Sequence, residues 1–207
     1  KETDERLVKY VYIEIARKNG KTAFAAGLSL YHLIADGEMD AEVDLAANSK
    51  EQAKIAFKFC SQFAKGIDPK GKDLVSFRDK VKFEKMLSLL QVFAADDSKL
   101  DGFNASMYLI DEYHAAKNTG LKDVLQSSQG MRDNPMAVII TTAGFDKLGP
   151  CYQYREMCTE VLSGLKENDA LFAAVFSPDE GDLAEEQPQS RSYGQTSIFA
   201  DAGTVSN

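Results

Sequence analysis

Three short segments carry residue types that could act together on a phosphoanhydride. The first is Arg17-Lys18-Asn19-Gly20-Lys21-Thr22. A bound phosphate chain needs backbone N–H groups converging on its oxygens, a lysine reaching the outer phosphates, and a hydroxyl for a magnesium ion at a helix start. Gly20 lets the backbone approach, Lys21 brings the charge and Thr22 the hydroxyl. The glycine usual five residues before Gly20 is replaced by Ile15. Alone, this segment barely separates a phosphate loop from a plain strand-to-helix turn.

The second segment is Met107-Tyr108-Leu109-Ile110-Asp111-Glu112. An Asp at the tip of a strand beside a phosphate loop holds magnesium, and an adjacent acid orients and activates the attacking water. The ordinary alternative is a strand end followed by a helix cap. In the third segment, Thr141-Thr142-Ala143-Gly144 closes another apolar run. Hydroxyls there can sense the γ-phosphate, whereas a polar strand end with a glycine turn is the plainer reading. Taken in order, the three reinforce one another and imply ATP, or a close relative, with Mg2+. Thr22 and Asp111 would hold the metal, and Glu112 would act on water.

Strands must place these segments side by side. Leu7–Ile15 alternates β-branched and aromatic residues and predicts a strand. Lys21–Ala35 predicts a helix apolar around most of its circumference, hence mostly buried. Ala41–Ala47 reads as a strand. Glu51–Phe63 reads as a helix capped by Ser49, with Gln52 placed as in a capping box. Lys65–Lys72 is expected to be a loop, and Leu74–Ala94 to hold strands around a charged turn, although MLSLLQVF also fits a helix. Ser106–Ile110 and Ala137–Thr142 have the continuous apolar character of central strands. Helices over Leu121–Gln129 and Tyr152–Leu165 and a strand over Leu171–Phe176 complete the pattern. Strands alternating with helices imply an α/β fold, three layers around a mostly parallel sheet. From Asp179 the composition turns polar, and residues 183–207 read as a disordered tail after a domain spanning 1–182.

The composition of the 207 residues, 44% hydrophobic and 27% charged, is that of a globular domain. No apolar run approaches the roughly 20 residues of a membrane helix. Cys60, Cys151 and Cys158 form no CxxC pair, and with only two histidines no His/Cys zinc cluster is expected. The cysteines read as small buried apolar residues of a reduced compartment. A net charge of −8 argues against a protein that coats nucleic acid nonspecifically, yet leaves room for one that grips DNA through a few local contacts. The chain begins at Lys1, not Met, and is expected to be a piece of a longer protein.

The order Arg17-Lys18-Asn19-Gly20-Lys21-Thr22, Asp111-Glu112-Tyr113-His114, Ile140-Thr141-Thr142-Ala143-Gly144 resembles the ATPase half of the large terminase subunit of tailed bacteriophages. Ala47-Asn48-Ser49-Lys50-Glu51-Gln52-Ala53 and Leu100-Asp101-Gly102-Phe103-Asn104 resemble further segments of that family. The resemblance runs from the first strand to about Asp182. It implies a P-loop NTPase fold of the RecA/ASCE-like kind and a Mg-dependent ATPase that packages viral double-stranded DNA. Such a motor works in the host cytoplasm as a ring at the portal protein, with a small terminase subunit as partner and no membrane.

The resemblance also implies roles. Residues 17–22 would bind nucleotide, Glu112 would be the catalytic base, and Thr141–Gly144 the coupling segment. Arg17 would act on the γ-phosphate in cis, and Arg132 is a second finger candidate whose plainer reading is a solvated loop charge. The family's nuclease domain and its adenine-contacting segment before the first strand are not expected within this chain. Two other readings stand beside this one. Asp111-Glu112-Tyr113-His114 also fits a DExH-type helicase, and a truncated domain could be a non-catalytic interaction module.

Overall fold

The computed structural model describes residues 5–94, 102–144 and 146–176. Twelve main elements follow in chain order: β1 Tyr10–Glu14, α1 Lys21–Ala35, β2 Glu42–Ala47, α2 Lys50–Ile67, β3 Leu74–Ser76, β4 Lys80–Phe83, β5 Ser88–Ala94, β6 Met107–Asp111, α3 Gly120–Ser128, β7 Met136–Thr141, α4 Pro150–Leu162 and β8 Leu171–Val175. One eight-stranded sheet has the order β3-β4-β5-β2-β6-β7-β1-β8. The six strands from β5 to β8 in that order run parallel, while β3 and β4 form an antiparallel hairpin at one edge.

Alternation along the central strands divides the core in two. Val11, Ile13, Leu45, Leu109, Val138 and Ile140 pack against Ala25, Leu30 and Leu33 of α1 and Ala56, Cys60 and Ala64 of α2. On the other face Tyr12, Tyr108, Ile110 and Ile139 pack against Leu125 of α3 and Cys151 and Cys158 of α4. Both faces being covered explains why β6 and β7 read as continuous apolar runs, and it makes the molecule three-layered as expected. All three cysteines are buried and free.

Several expected boundaries move. α2 continues to Ile67, because Ala64 still faces the core, so the expected loop from Lys65 begins only at Asp68. α4 starts at Pro150, two residues before the expected Tyr152, with proline where its missing N–H is harmless. Leu74–Ala94 does hold strands, and its charged turn is a short 3-10 turn over Glu84–Met86. α1 is less buried than its apolar circumference suggested, since Phe24 and Tyr31 lie on its outer side. Ser49 caps α2 as expected, accepting the Gln52 N–H at 3.3 Å. The expected tail from residue 183 lies outside the described residues.

The candidate nucleotide site

The sheet order brings the three segments together. β1 leads into the phosphate loop, β6 ends at Asp111, and β7, ending at Thr141, is paired between them. All three are parallel, so their C-terminal ends meet at one edge. α1 begins there with Gly20 at its N-cap in the left-handed conformation (φ 70°) and with open space where a Cβ would stand. Lys18 is also left-handed, at φ 67°, which its sequence did not signal. Asn19 Nδ2 donates to the Ala16 carbonyl at 3.1 Å and tightens the loop from within. Arg17, Lys18 and Asn19 are exposed, and no partner of the Arg17 side chain is found among the described residues.

Lys21 is buried, 4% of its side chain exposed, and its ammonium donates to the Ala16 carbonyl at 3.3 Å. It also lies 3.7 Å from Glu112 Oε1. Thr22 Oγ1 donates to Asp111 Oδ2 at 2.9 Å. The other Asp111 oxygen, Oδ1, is buried without a hydrogen-bond partner. Burial pushes the Asp111 carboxyl up, against the pull of the Thr22 hydrogen bond, and the neighbouring Glu112 charge adds to the rise. A buried carboxylate oxygen with no donor is costly and suits a hard cation supplied from outside. Thr22 and Asp111 therefore fit a magnesium ion.

Glu112 is held in the left-handed region at φ 59°. Its Oε2 lies 3.1 Å from His114 Nδ1 and accepts from Thr142 Oγ1 at 3.5 Å. His114 Nδ1 is also 3.1 Å from Thr142 Oγ1, and the His114 N–H donates to Thr141 Oγ1 at 2.9 Å. The acid and the threonine pair thus share one histidine. A Cβ at Gly144 would meet His114 Cβ at 3.3 Å, so this glycine lets the segment pass close to that histidine. Ala143, between them, is exposed.

Two features went unread in the sequence. Asn48, just past the end of β2, donates through Nδ2 to the carbonyls of Asp111, at 3.4 Å, and of Glu112. It fastens the left-handed turn that aims Glu112. A polar residue ending the strand beside β6 was the only available signal. Secondly, Glu14, at the end of β1, is a buried acid. Its carboxylate accepts from Tyr12 OH at 2.8 Å and from Arg155 Nε of α4 at 3.1 Å. Cys151 joins this group, its Sγ 3.9 Å from Tyr12 OH, and it donates to Thr141 Oγ1 at 3.8 Å.

Arg132 is not at the site. Its guanidinium donates to Glu38 Oε1 at 2.6 Å, to the Asp40 carbonyl at 3.0 Å and to the Asn104 carbonyl at 2.7 Å. Asp40 and Asn104 precede β2 and β6, so this clamp sits at the N-terminal edge of the sheet. Strands of five residues at about 3.3 Å each separate it from the catalytic edge by about 16 Å. The solvated-charge reading does not describe it, and it cannot act as a finger within its own subunit: there Arg132 is a structural tie.

A strand between the phosphate-loop strand and the acid-bearing strand, the loop itself, and a threonine hydrogen-bonded to a buried aspartate define a P-loop NTPase of the RecA/ASCE-like kind. The model of the family "Terminase large subunit, ATPase domain" matches residues 1–160, and the chain belongs to this family. It is 38% identical over 82 residues to Protein YmfN of Escherichia coli K12, covering 40% of this chain and 18% of that protein. To the large terminase subunit of Enterobacteria phage HK97 it is 26% identical over 142 residues, 63% of this chain and 27% of that one. The crystal structure of the HK97 large terminase superposes with a TM-score of 0.74 at 21% identity, covering 86% of this chain and 37% of that one. The large terminase of a thermophilic bacteriophage, solved in complex with ADP, gives 0.57 at 12% identity over 82% of this chain and 40% of that one. At these identities the structures speak for the fold alone. Membership in this ATPase family favours neither the helicase nor the non-catalytic reading. Among the described residues no helix is long and apolar enough to cross a membrane.

Proposed function

We propose that this domain binds ATP with Mg2+ and hydrolyses it to drive viral double-stranded DNA into a procapsid, as the motor part of a terminase large subunit. The observation that carries this is the convergence of Lys21, Thr22, Asp111 and Glu112 at one sheet edge, with Glu112 between Lys21 and His114. Residues 17–22 would cradle the phosphates, with Lys21 released from the Ala16 carbonyl to meet them. Thr22 and Asp111 would hold magnesium, which when bound neutralises phosphate charge. Glu112 would take the proton from the attacking water. Arg17, exposed on the loop, would reach the γ-phosphate in cis. Thr141–Gly144 would pass on the loss of that phosphate, since Thr142 and His114 already touch Glu112. The family points to a ring of such subunits at a portal protein in the host cytoplasm, with a small terminase subunit as partner. The ATPase domain would extend to residue 182.

Magnesium-dependent ATPase assays test the reading directly. Glu112→Gln should lower turnover by about 10²–10⁴, the usual worth of a positioned base, while nucleotide still binds. Normal hydrolysis by this variant would remove Glu112 from the mechanism. Arg17→Ala should lower turnover by about 10³ or more if Arg17 acts as a finger. An unchanged rate would return it to the solvent.

A further inference from the structure

The chain is acidic overall, yet its charge is segregated. Between Lys50 and Lys85 ten lysines and arginines stand against five acids, a local charge of +5 in a chain of −8. Within that stretch α2 carries four of the lysines. Lys50, Lys54, Lys58 and Lys65 are all exposed, and at 3.6 residues per turn they share an arc of about 80°. Ala56, Cys60 and Ala64 hold another side of the helix, centred about 120° away, in the core. The stripe is about 22 Å long, with lysines about 6 Å apart at each four-residue step.

Only Lys65, in the last turn, suits the helix dipole; the rest of the row does not help the isolated helix. Like charges four residues apart repel, and a cation in the first turn opposes the helix dipole. No salt bridge holds Lys54, Lys58 or Lys65 among the described residues. The edge hairpin beyond α2 is basic too, and there Lys85 pairs with Asp73 at 2.8 Å and Lys82 lies 5.8 Å from the Phe77 ring centre. A polyanion laid along α2 would turn the repulsion into attraction.

The head of this helix adjoins the catalytic acids. Asn48, two residues before Lys50, donates to the carbonyls of Asp111 and Glu112, and Ser49 caps α2. A displacement of α2 along its axis would therefore pull on the turn that aims Glu112.

We propose that the lysine stripe of α2 is the surface on which this domain grips the phosphate backbone of double-stranded DNA, tied through Asn48 to the hydrolysis site. The inference rests on the packaging reading and adds to it which face meets the duplex. The test is the triple variant Lys54→Ala/Lys58→Ala/Lys65→Ala of the full chain, in which alanine preserves the helix. A duplex of random sequence is titrated by fluorescence anisotropy over a range of salt. The slope of log affinity against log salt should fall by about 3, roughly 0.9 for each lost phosphate contact. Stimulation of the ATPase by duplex should fall at least tenfold, with the rate in the absence of DNA unchanged. A second variant, Lys70→Ala/Lys72→Ala/Lys82→Ala, removes the same charge from the hairpin region and should retain near-normal binding and stimulation. Wild-type affinity and slope in the α2 variant would overturn the inference, as would an equal loss in the hairpin variant, which would mark a bulk-charge effect. A wild-type chain that neither binds duplex nor responds to it would sink the packaging reading, and this inference with it.

Discussion

Arg155 is the residue whose removal most directly tests how the catalytic edge is held. Glu14 has only 3% of its side chain exposed, against 30% for Arg155, and the pair meets at 3.1 Å. At an effective dielectric of about 20 this separation gives a gross attraction of about 5 kcal/mol. Breaking a buried pair costs about 3–5 kcal/mol, because the remaining charge stays in the interior. Solvent reaches the arginine, and Tyr12 OH still donates to the carboxylate, so about 2–3 kcal/mol is the expected loss. Arg155→Met keeps most of the apolar stem and so isolates the charge. In a domain of this size each kcal/mol moves Tm by about 2–4 °C, so the melting point should drop by roughly 4–12 °C. Adding Glu14→Gln should recover part of the loss, since glutamine still accepts from Tyr12 and carries no charge. Thermal and urea melts of the four proteins complete the double-mutant cycle. A loss below about 0.5 kcal/mol for Arg155→Met, or a double variant weaker than the single one, would refute the reasoning. Because Glu14 pairs in register with Thr141 and precedes the phosphate loop, turnover of the folded Arg155→Met protein should fall as well.

Two further predictions concern groups away from the phosphates. Arg132→Ala should lower Tm through loss of the ties to Glu38, Asp40 and Asn104, while turnover per folded molecule stays within a few-fold of the wild type; a thousandfold drop in turnover would restore the finger reading. Asp44, fully buried on β2 with Oδ2 unpartnered, has its carboxyl pushed up to about 7 by burial, against the Gln91 hydrogen bond and with help from Glu42. With the folded pKa above the unfolded one, the native state holds the proton longer, so stability falls as pH rises from about 4 to about 7. Asp44→Asn should flatten that part of the profile and stabilise the protein at pH 8 by on the order of 2–4 kcal/mol in urea melts. An unchanged slope would show that Asp44 is solvated.

The sequence determined the chemistry-bearing segments and the layering. Gly20-Lys21-Thr22, Asp111-Glu112 and Thr141–Gly144 were legible because each closes or follows an apolar run, and strand ends in a parallel sheet share one edge. Burial of both sheet faces was legible from the uninterrupted apolar character of β6 and β7. Boundaries were less so, since whether α2 stops at Phe63 or runs to Ile67 depends on what Ala64 meets. Tertiary structure alone decided the rest. Strand order is a non-local property, and only it puts β7 between the phosphate loop and the acids. Arg132 stood among finger candidates until the fold carried it to the far edge. Asn48, Glu14 and Arg155 act through partners 63, 64 and 141 residues away. No local pattern encodes such distances, because a side chain's partner is fixed by where the packed sheet brings the backbone.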